Sequence, residues 1–259
     1  MLLTEPPPSQ GDLHFRVFGF PVRVHPMFWI ITAVMRLRPG GKGTTPSELL
    51  SWVAVVFVSI LVHELGHAFL QRRYGGHPWI TLYGLGGLAS CDDEDRSPRS
   101  QILISLAGPV AGFLLALATL FLLNLMGHAT SLQWAEKPQL RMASMVGFPI
   151  YRFWVLWEPL GSPFANSILG DVLLVNIVWG LINLLPVYPL DGGRVSREAL
   201  TLHNPRGGIV LSLQISAVTA IVMAFVAAVY WQLMFTAILF GYLAYSNYQT
   251  LQAYRDDRW

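Results

Sequence analysis

Residues 49–68 read LLSWVAVVFVSILVHELGHA. No residue from Leu49 to Val62 is charged, and the run then meets His63-Glu64-Leu65-Gly66-His67. On a helix, positions i and i+4 share a face, so His63 and His67 can hold one metal ion between them. Glu64 lies off that axis, where it can take a proton from an activated water. Three ionisable groups at the end of an apolar helix are expensive in a membrane and are functional candidates for that reason. The bland alternative is a polar contact between packed helices.

Outward from this stretch the whole chain is apolar. Of 259 residues 53% are hydrophobic and 12% charged, and mean hydropathy is +0.47. A soluble domain carries about twice that charged fraction. The composition therefore predicts a polytopic, all-α membrane protein. Net charge is +2, so nothing suggests a nucleic-acid partner. Cys91 is the single cysteine, which excludes an intramolecular disulfide and argues against a catalytic thiol. The N-terminus, MLLTEPPPSQGD, lacks the basic region and apolar run of a cleaved signal peptide.

Residues 1–12 are Pro-rich and read as a flexible tail. Residues 13–259 read as one integral-membrane domain with a catalytic core at roughly 47–205. His14 to His25 alternates around Gly19 and predicts a hairpin. Pro26 to Leu37 predicts a short first span, with Arg36 and Arg38 reaching the far surface. Ser47 to Arg73 is the second span, closed by Gly75-Gly76. Trp79 to Cys91, broken by Gly84, Gly86 and Gly87, predicts two short strands or an irregular hairpin. Gln101 to Met126 is a third span with Ala107-Gly108-Pro109 inside it. Residues 127–164 read as an interfacial loop with an amphipathic piece around Met142–Leu156. Ile168 to Leu185 is a fourth span, with Asn176 and Asn183 on one face. Pro186 and Pro189 stop it, and a polar helix follows at roughly Arg194–His203. The 48 uncharged residues between Arg206 and Arg255 fit two more spans turning near Tyr230-Trp231-Gln232.

About six spans place both termini on one side. Arg36, Arg38, Lys42, Lys137, Arg141 and Arg152 fall on the other side, against eleven of the seventeen basic residues on the terminal side. That bias predicts cytoplasmic termini in the cell membrane, with the small hairpin or sheet also cytoplasmic. The ends of spans two and four then share that face.

A catalytic zinc takes three protein ligands and leaves one open position. The five other histidines lie outside the spans or at their ends, and Glu94, Glu136, Glu158 and Glu198 lie in loops or surface elements. Asp191 differs: it follows the proline-broken fourth span on the face that carries His67. Gly192 and Gly193 let the backbone approach closely and bend. Asp191 also suits a helix N-cap. HELGH at 63–67 and Asn183-Leu-Leu-Pro-Val-Tyr-Pro-Leu-Asp-Gly-Gly at 183–193 together resemble the site-2 protease family of intramembrane zinc metalloproteases. The likeness covers roughly 14–205 and is nearest the short archaeal and sporulation-type branch. The chain departs from the family at Gly112, where members often have Asn, and leaves no room for a PDZ insertion or a CBS pair.

The resemblance implies one zinc per chain, held by His63, His67 and Asp191, with Glu64 as general base. It implies an endopeptidase that cuts transmembrane segments of membrane-anchored proteins within the lipid bilayer. It makes Asn183 a candidate for holding the substrate carbonyl or orienting a ligand, beside an interhelical hydrogen bond as the plain alternative. Gly86 and Gly87 are candidates for close approach of substrate: Leu82–Ser90 is expected to form an edge strand that takes an unwound peptide by strand addition. Asp171 reads as interfacial rather than catalytic, and His25 as structural. A metal transporter or non-proteolytic metal-binding scaffold is the rival from another class. Its polar ligands would spread along several spans, whereas here they cluster at one depth. A prenyl-protein type of membrane peptidase lacks a matching downstream Glu motif.

Overall fold

The computed structural model describes every residue except 1–4, 38–43, 85, 94, 135–144, 151 and 257–259. The chain divides into two compact units. One comprises Met1–Ala68, Pro78–Ser90 and Val110–Gly180, and the other Phe69–His77, Cys91–Pro109 and Leu181–Trp259.

β1 (Leu13–Val17) and β2 (Phe20–Val24) form the hairpin expected at 14–25. Phe18 and Gly19 both have positive φ, the turn geometry that matches the twist of a two-residue hairpin. α1 (Pro26–Arg36) follows, and the His25 ring accepts the Met27 N–H at its start, so His25 is a cap. α2 (Pro46–Arg73) is the metal-motif helix. It ends on Gly75, at φ +90°, where the Gly76 N–H reaches the Gln71 carbonyl and the Gly75 N–H that of Arg72. β3 (His77–Tyr83) and β4 (Gly86–Asp92) complete a four-stranded sheet in the order β1-β2-β3-β4. β2 and β3 are parallel, with Val22 opposite Ile80 and Val24 opposite Leu82. Parallel neighbours need a crossover, and α1 and α2 supply it. Val22, Val24, Ile80 and Leu82 bury one face of this sheet against Phe28 of α1 and Val56, Ile60 and Leu65 of α2.

α3 (Pro98–Leu125) carries Pro109 inside a continuous helix. The stretch expected as an interfacial loop with an amphipathic piece around Met142–Leu156 is instead largely strand. β5 (Thr130–Trp134), β6 (Val146–Ile150) and β7 (Phe153–Trp157) form an antiparallel sheet in the order β5-β7-β6. Phe153-Trp154-Val155-Leu156-Trp157 is aromatic and β-branched, which suits a pleated, half-buried strand. Val155 and Trp157 pack on α3 and on Leu169 and Leu173 of α4 (Pro163–Leu174). Residues 142–144 lie outside the described residues.

The fourth span continues from α4 through a π-helical turn (Val175–Trp179) into α5 (Gly180–Asn183). That turn breaks the 3.6-residue period on which the one-face reading of Asn176 and Asn183 rests. α6 (Asp191–His203), α7 (Gly208–Val229) and α8 (Met234–Asp256) complete the chain, with the last turn where expected, between Val229 and Met234.

Among the described residues four helices are long and apolar enough to cross a membrane: Pro46–Arg73, Pro98–Leu125, Pro163–Asn183 and Gly208–Val229. Leu114, Leu117, Phe121 and Leu125 of α3 and Val218, Ile221 and Phe225 of α7 are exposed, as lipid-facing side chains must be. The molecule is a mostly helical, multi-pass membrane protein with two small sheets.

The tail is not loose throughout. Glu5 accepts hydrogen bonds from the Thr81 hydroxyl, the Trp79 indole and Arg23, and Arg23 also bonds Asp12 and the Pro6 carbonyl. Burial raises the Glu5 carboxyl, but these donors outweigh it and hold the group below its ordinary value.

Candidate metal centre

In the first unit one turn near the C-terminal end of α2 brings His63, Glu64 and His67 together. Glu64 and His67 are 6% exposed and His63 is half-buried. Their neighbours Leu65 and Ala68 are buried against the sheet, which fixes the helix about its axis and turns the histidines away from that contact. The His63 and His67 Nε2 atoms lie 3.2 Å apart. Two nitrogens at 2.0–2.1 Å from one tetrahedral zinc lie about 3.3 Å apart, so the pair is spaced to share an ion.

β4 runs against the same helix. A Cβ built on Gly87 would overlap the Glu64 side chain, including Oε1. Only glycine lets the strand backbone pass this close to the carboxylate. Gly86 has φ +127°, in the region that favours glycine, and opens onto free space. The edge strand expected at Leu82–Ser90 lies further along the chain, at Gly86–Asp92. Leu82 belongs to β3 and is paired to β2, and the strand at the sheet's edge is Gly86–Asp92.

One turn before His63, Ser59 accepts a 2.8 Å hydrogen bond from the Asn176 amide, which also donates to the Val172 carbonyl. Ser59 and Asn176 are 4% and 3% exposed. Gly112 of α3 packs beside the same carboxamide, where a Cβ would sit at an ordinary contact distance of 3.5 Å from Asn176 Oδ1. From the sequence Asn176 shares a face only with Asn183, and nothing there names Ser59 of α2 as its partner. A polar side chain in an apolar span was the available signal.

Asp171 is 7% exposed and pairs with Arg36 at 3.0 Å. Arg36 also stacks over the Trp52 ring and reaches Ser167. Arg36 therefore does not simply reach for the far surface, and Asp171 is not merely interfacial: the two tie α1 to α4.

In the second unit Asp191 is the first residue of α6, with Leu190 at the cap. It is 7% exposed, and a carboxylate in the first helical turn is favoured by the helix dipole. Gly192 and Gly193 do not bend the chain. Helix begins at once, and any side chain there would overlap the backbone of Leu184 and of Val187-Tyr188. They are glycines because the 184–190 loop lies directly on the first turn of α6. Asn183 ends α5 and is half-buried.

The model of peptidase family M50 matches residues 51–229, more than half of the chain. A zinc metalloprotease of Methanocaldococcus jannaschii is 25% identical over 191 residues, 72% of this chain and 44% of its own length. A protein of Synechocystis sp. is 28% identical over 211 residues, 77% of this chain and 47% of its own. Stage IV sporulation protein FB of Bacillus subtilis is 23% identical over 179 residues. The chain spans about half the length of these relatives. The solved site-2 protease of M. jannaschii shares the fold, with a TM-score of 0.53 at 20% identity, over 93% of this chain and 95% of that one. The match runs through the HELGH helix and the Asp191 turn alike, and the chain belongs to peptidase family M50.

Proposed function

We propose that the protein is an intramembrane zinc endopeptidase that hydrolyses peptide bonds in or near transmembrane segments of membrane-anchored proteins. One observation carries the reading: His63 and His67, one turn apart on α2, hold their Nε2 atoms 3.2 Å apart, the spacing of two ligands on one zinc. Two imidazoles and a carboxylate are the donor set of a catalytic zinc with its fourth position open. Asp191, buried in the first turn of α6, is the proposed third ligand. One zinc per chain is therefore assigned to these three residues.

A zinc so held supplies Lewis-acid polarisation of a peptide carbonyl and acidifies a bound water. Glu64, buried beside the two histidines, is the proposed base: it takes the proton of the attacking water and returns it to the leaving amine nitrogen. Asn183 is assigned to the substrate carbonyl. A transmembrane helix must unwind before its carbonyls can be attacked, and each freed backbone group then needs a partner in an apolar setting. The edge of β4 offers such partners, and Gly87 brings that edge against Glu64. Substrates with Gly, Pro or Asn near the cut unwind most readily.

The chain is further proposed to cross the cell membrane six times, with α1 and α8 added to the four long apolar helices and both termini cytoplasmic. The activity is tested with purified protein in detergent and a synthetic transmembrane peptide, Leu-rich with Asn-Pro at its centre. Mass spectrometry should show cuts inside the apolar stretch. A zinc chelator should abolish them and added zinc restore them. Cuts that persist without metal contradict the proposal.

A further inference from the structure

The segment that delivers Asp191 is a loop of seven residues, 184–190, between α5 and α6. Its backbone can be accounted for group by group. The N–H groups of Leu184, Leu185, Val187 and Leu190 all bond to carbonyls of residues 181–187. Pro186 and Pro189 have none. Tyr188 is left to bond outside the loop, and its N–H donates to the Ser216 hydroxyl of α7 at 3.0 Å. The Tyr188 carbonyl accepts from the Asn247 amide of α8 at 2.7 Å. Asn247 donates its second N–H to Leu243, one turn back on its own helix. Both partners are carbonyls, so the orientation of the amide is set by its bonds. Ser216 is fully buried and Asn247 is 1% exposed. The Arg197 guanidinium lies over the Tyr188 ring, 5.5 Å from its centre.

From these contacts we infer that Ser216 and Asn247 are positioning residues of the metal centre: the α7–α8 pair grips the Tyr188 peptide and thereby fixes the Asp191 carboxylate for zinc. Tyr188 is three residues before Asp191. Its N–H, in the 187–188 peptide, is held from α7 and its carbonyl, in the 188–189 peptide, from α8, and Gly193 of α6 packs against the first of these two peptides. With both sides of the loop occupied, the backbone of Asp191 has one place to be. A buried carboxamide is a poor way to stabilise an apolar helix, because Asn247 Oδ1 has no partner among the described residues. A leucine there would bury apolar surface without an orphan acceptor, so a role beyond packing explains the residue. Asn247 lies past residue 229, where the family model ends.

The inference rests on Asp191 being a zinc ligand, and its test separates the two claims. The full chain in detergent is loaded with zinc, and transfer of the ion to a competing chelator is followed. The visible spectrum of the cobalt(II)-loaded protein reads ligand geometry in parallel. Asn247→Leu, Asn247→Ala and Ser216→Ala are compared with Gln249→Leu, which removes an exposed contact on the same helix. Residues that orient a metal ligand typically contribute about 10- to 100-fold in affinity. The Asn247 variants should lose that much zinc affinity with an altered cobalt spectrum, Ser216→Ala should lose less, and Gln249→Leu should match the parent. Variants with native helical content, parental zinc affinity and an unchanged spectrum overturn the inference, even if they melt earlier. Ser216→Ala removes a single oxygen, so a folded variant is available whatever the Asn247 changes do. Asp191→Ala decides the underlying reading: full zinc retention there refutes the ligand itself. Zinc loss there with parental behaviour in all three clamp variants refutes only the clamp.

Discussion

At the scale of single residues, the closest tolerance is between Gly87 and Glu64. A valine at 87 must displace either the strand or the carboxylate. A shift of about 1 Å in a reacting group costs on the order of 100-fold in rate. Gly87→Val should therefore lose about that much turnover while zinc content, read by mass spectrometry of the metal, stays at one per chain. Parental turnover would mean that β4 does not set the position of Glu64. Asn183→Ala should lower kcat by about 100-fold with little change in zinc content, the usual effect of removing one donor to a developing oxyanion. A steady-state comparison with the parent checks it. His63, Glu64 and His67 were legible in the sequence because a helix turns spacing directly into geometry. Asp191 was legible because two prolines mark the break before it. Ser59, Ser216 and Asn247 were not, since a lone polar residue in an apolar span does not name its partner.

At the scale of elements, the Arg36–Asp171 pair is the point where α1 is tied to α4. Removing one member leaves the other charge in a poorly solvated place. For a fully buried pair that costs about 3–5 kcal/mol, and Arg36 keeps 27% exposure, so about 3 kcal/mol is the upper expectation. Arg36→Leu or Asp171→Leu alone should destabilise the protein, and the double variant should recover most of the loss in a double-mutant cycle of denaturant unfolding. Additive losses would show that the pair carries no coupling. The first hairpin could be read from its alternation and the long helices from their uncharged runs. The β5-β7-β6 sheet could not. Its strands are five residues each, and the Phe153–Trp157 run fits helix or strand until its neighbours at 130–134 and 146–150 are known. The parallel pairing of β2 with β3 was equally hidden, because more than fifty residues separate the partners.

At the scale of the whole molecule, the six-span proposal has a direct consequence. In a Cys91→Ser background, single cysteines at residue 40 and at the C-terminus should be labelled from opposite sides of the membrane. Labelling from one side would exclude the six-span arrangement. The central claim is that Glu64 performs the chemistry at a zinc held by other residues. The most direct test is cleavage of a transmembrane peptide in proteoliposomes by zinc-loaded Glu64→Gln protein beside the parent. The account predicts one zinc per chain in both, cuts within the apolar stretch by the parent, and a rate at least about 100-fold lower in the variant. A Glu64→Gln protein that retains its zinc and cuts at the parental rate would contradict it.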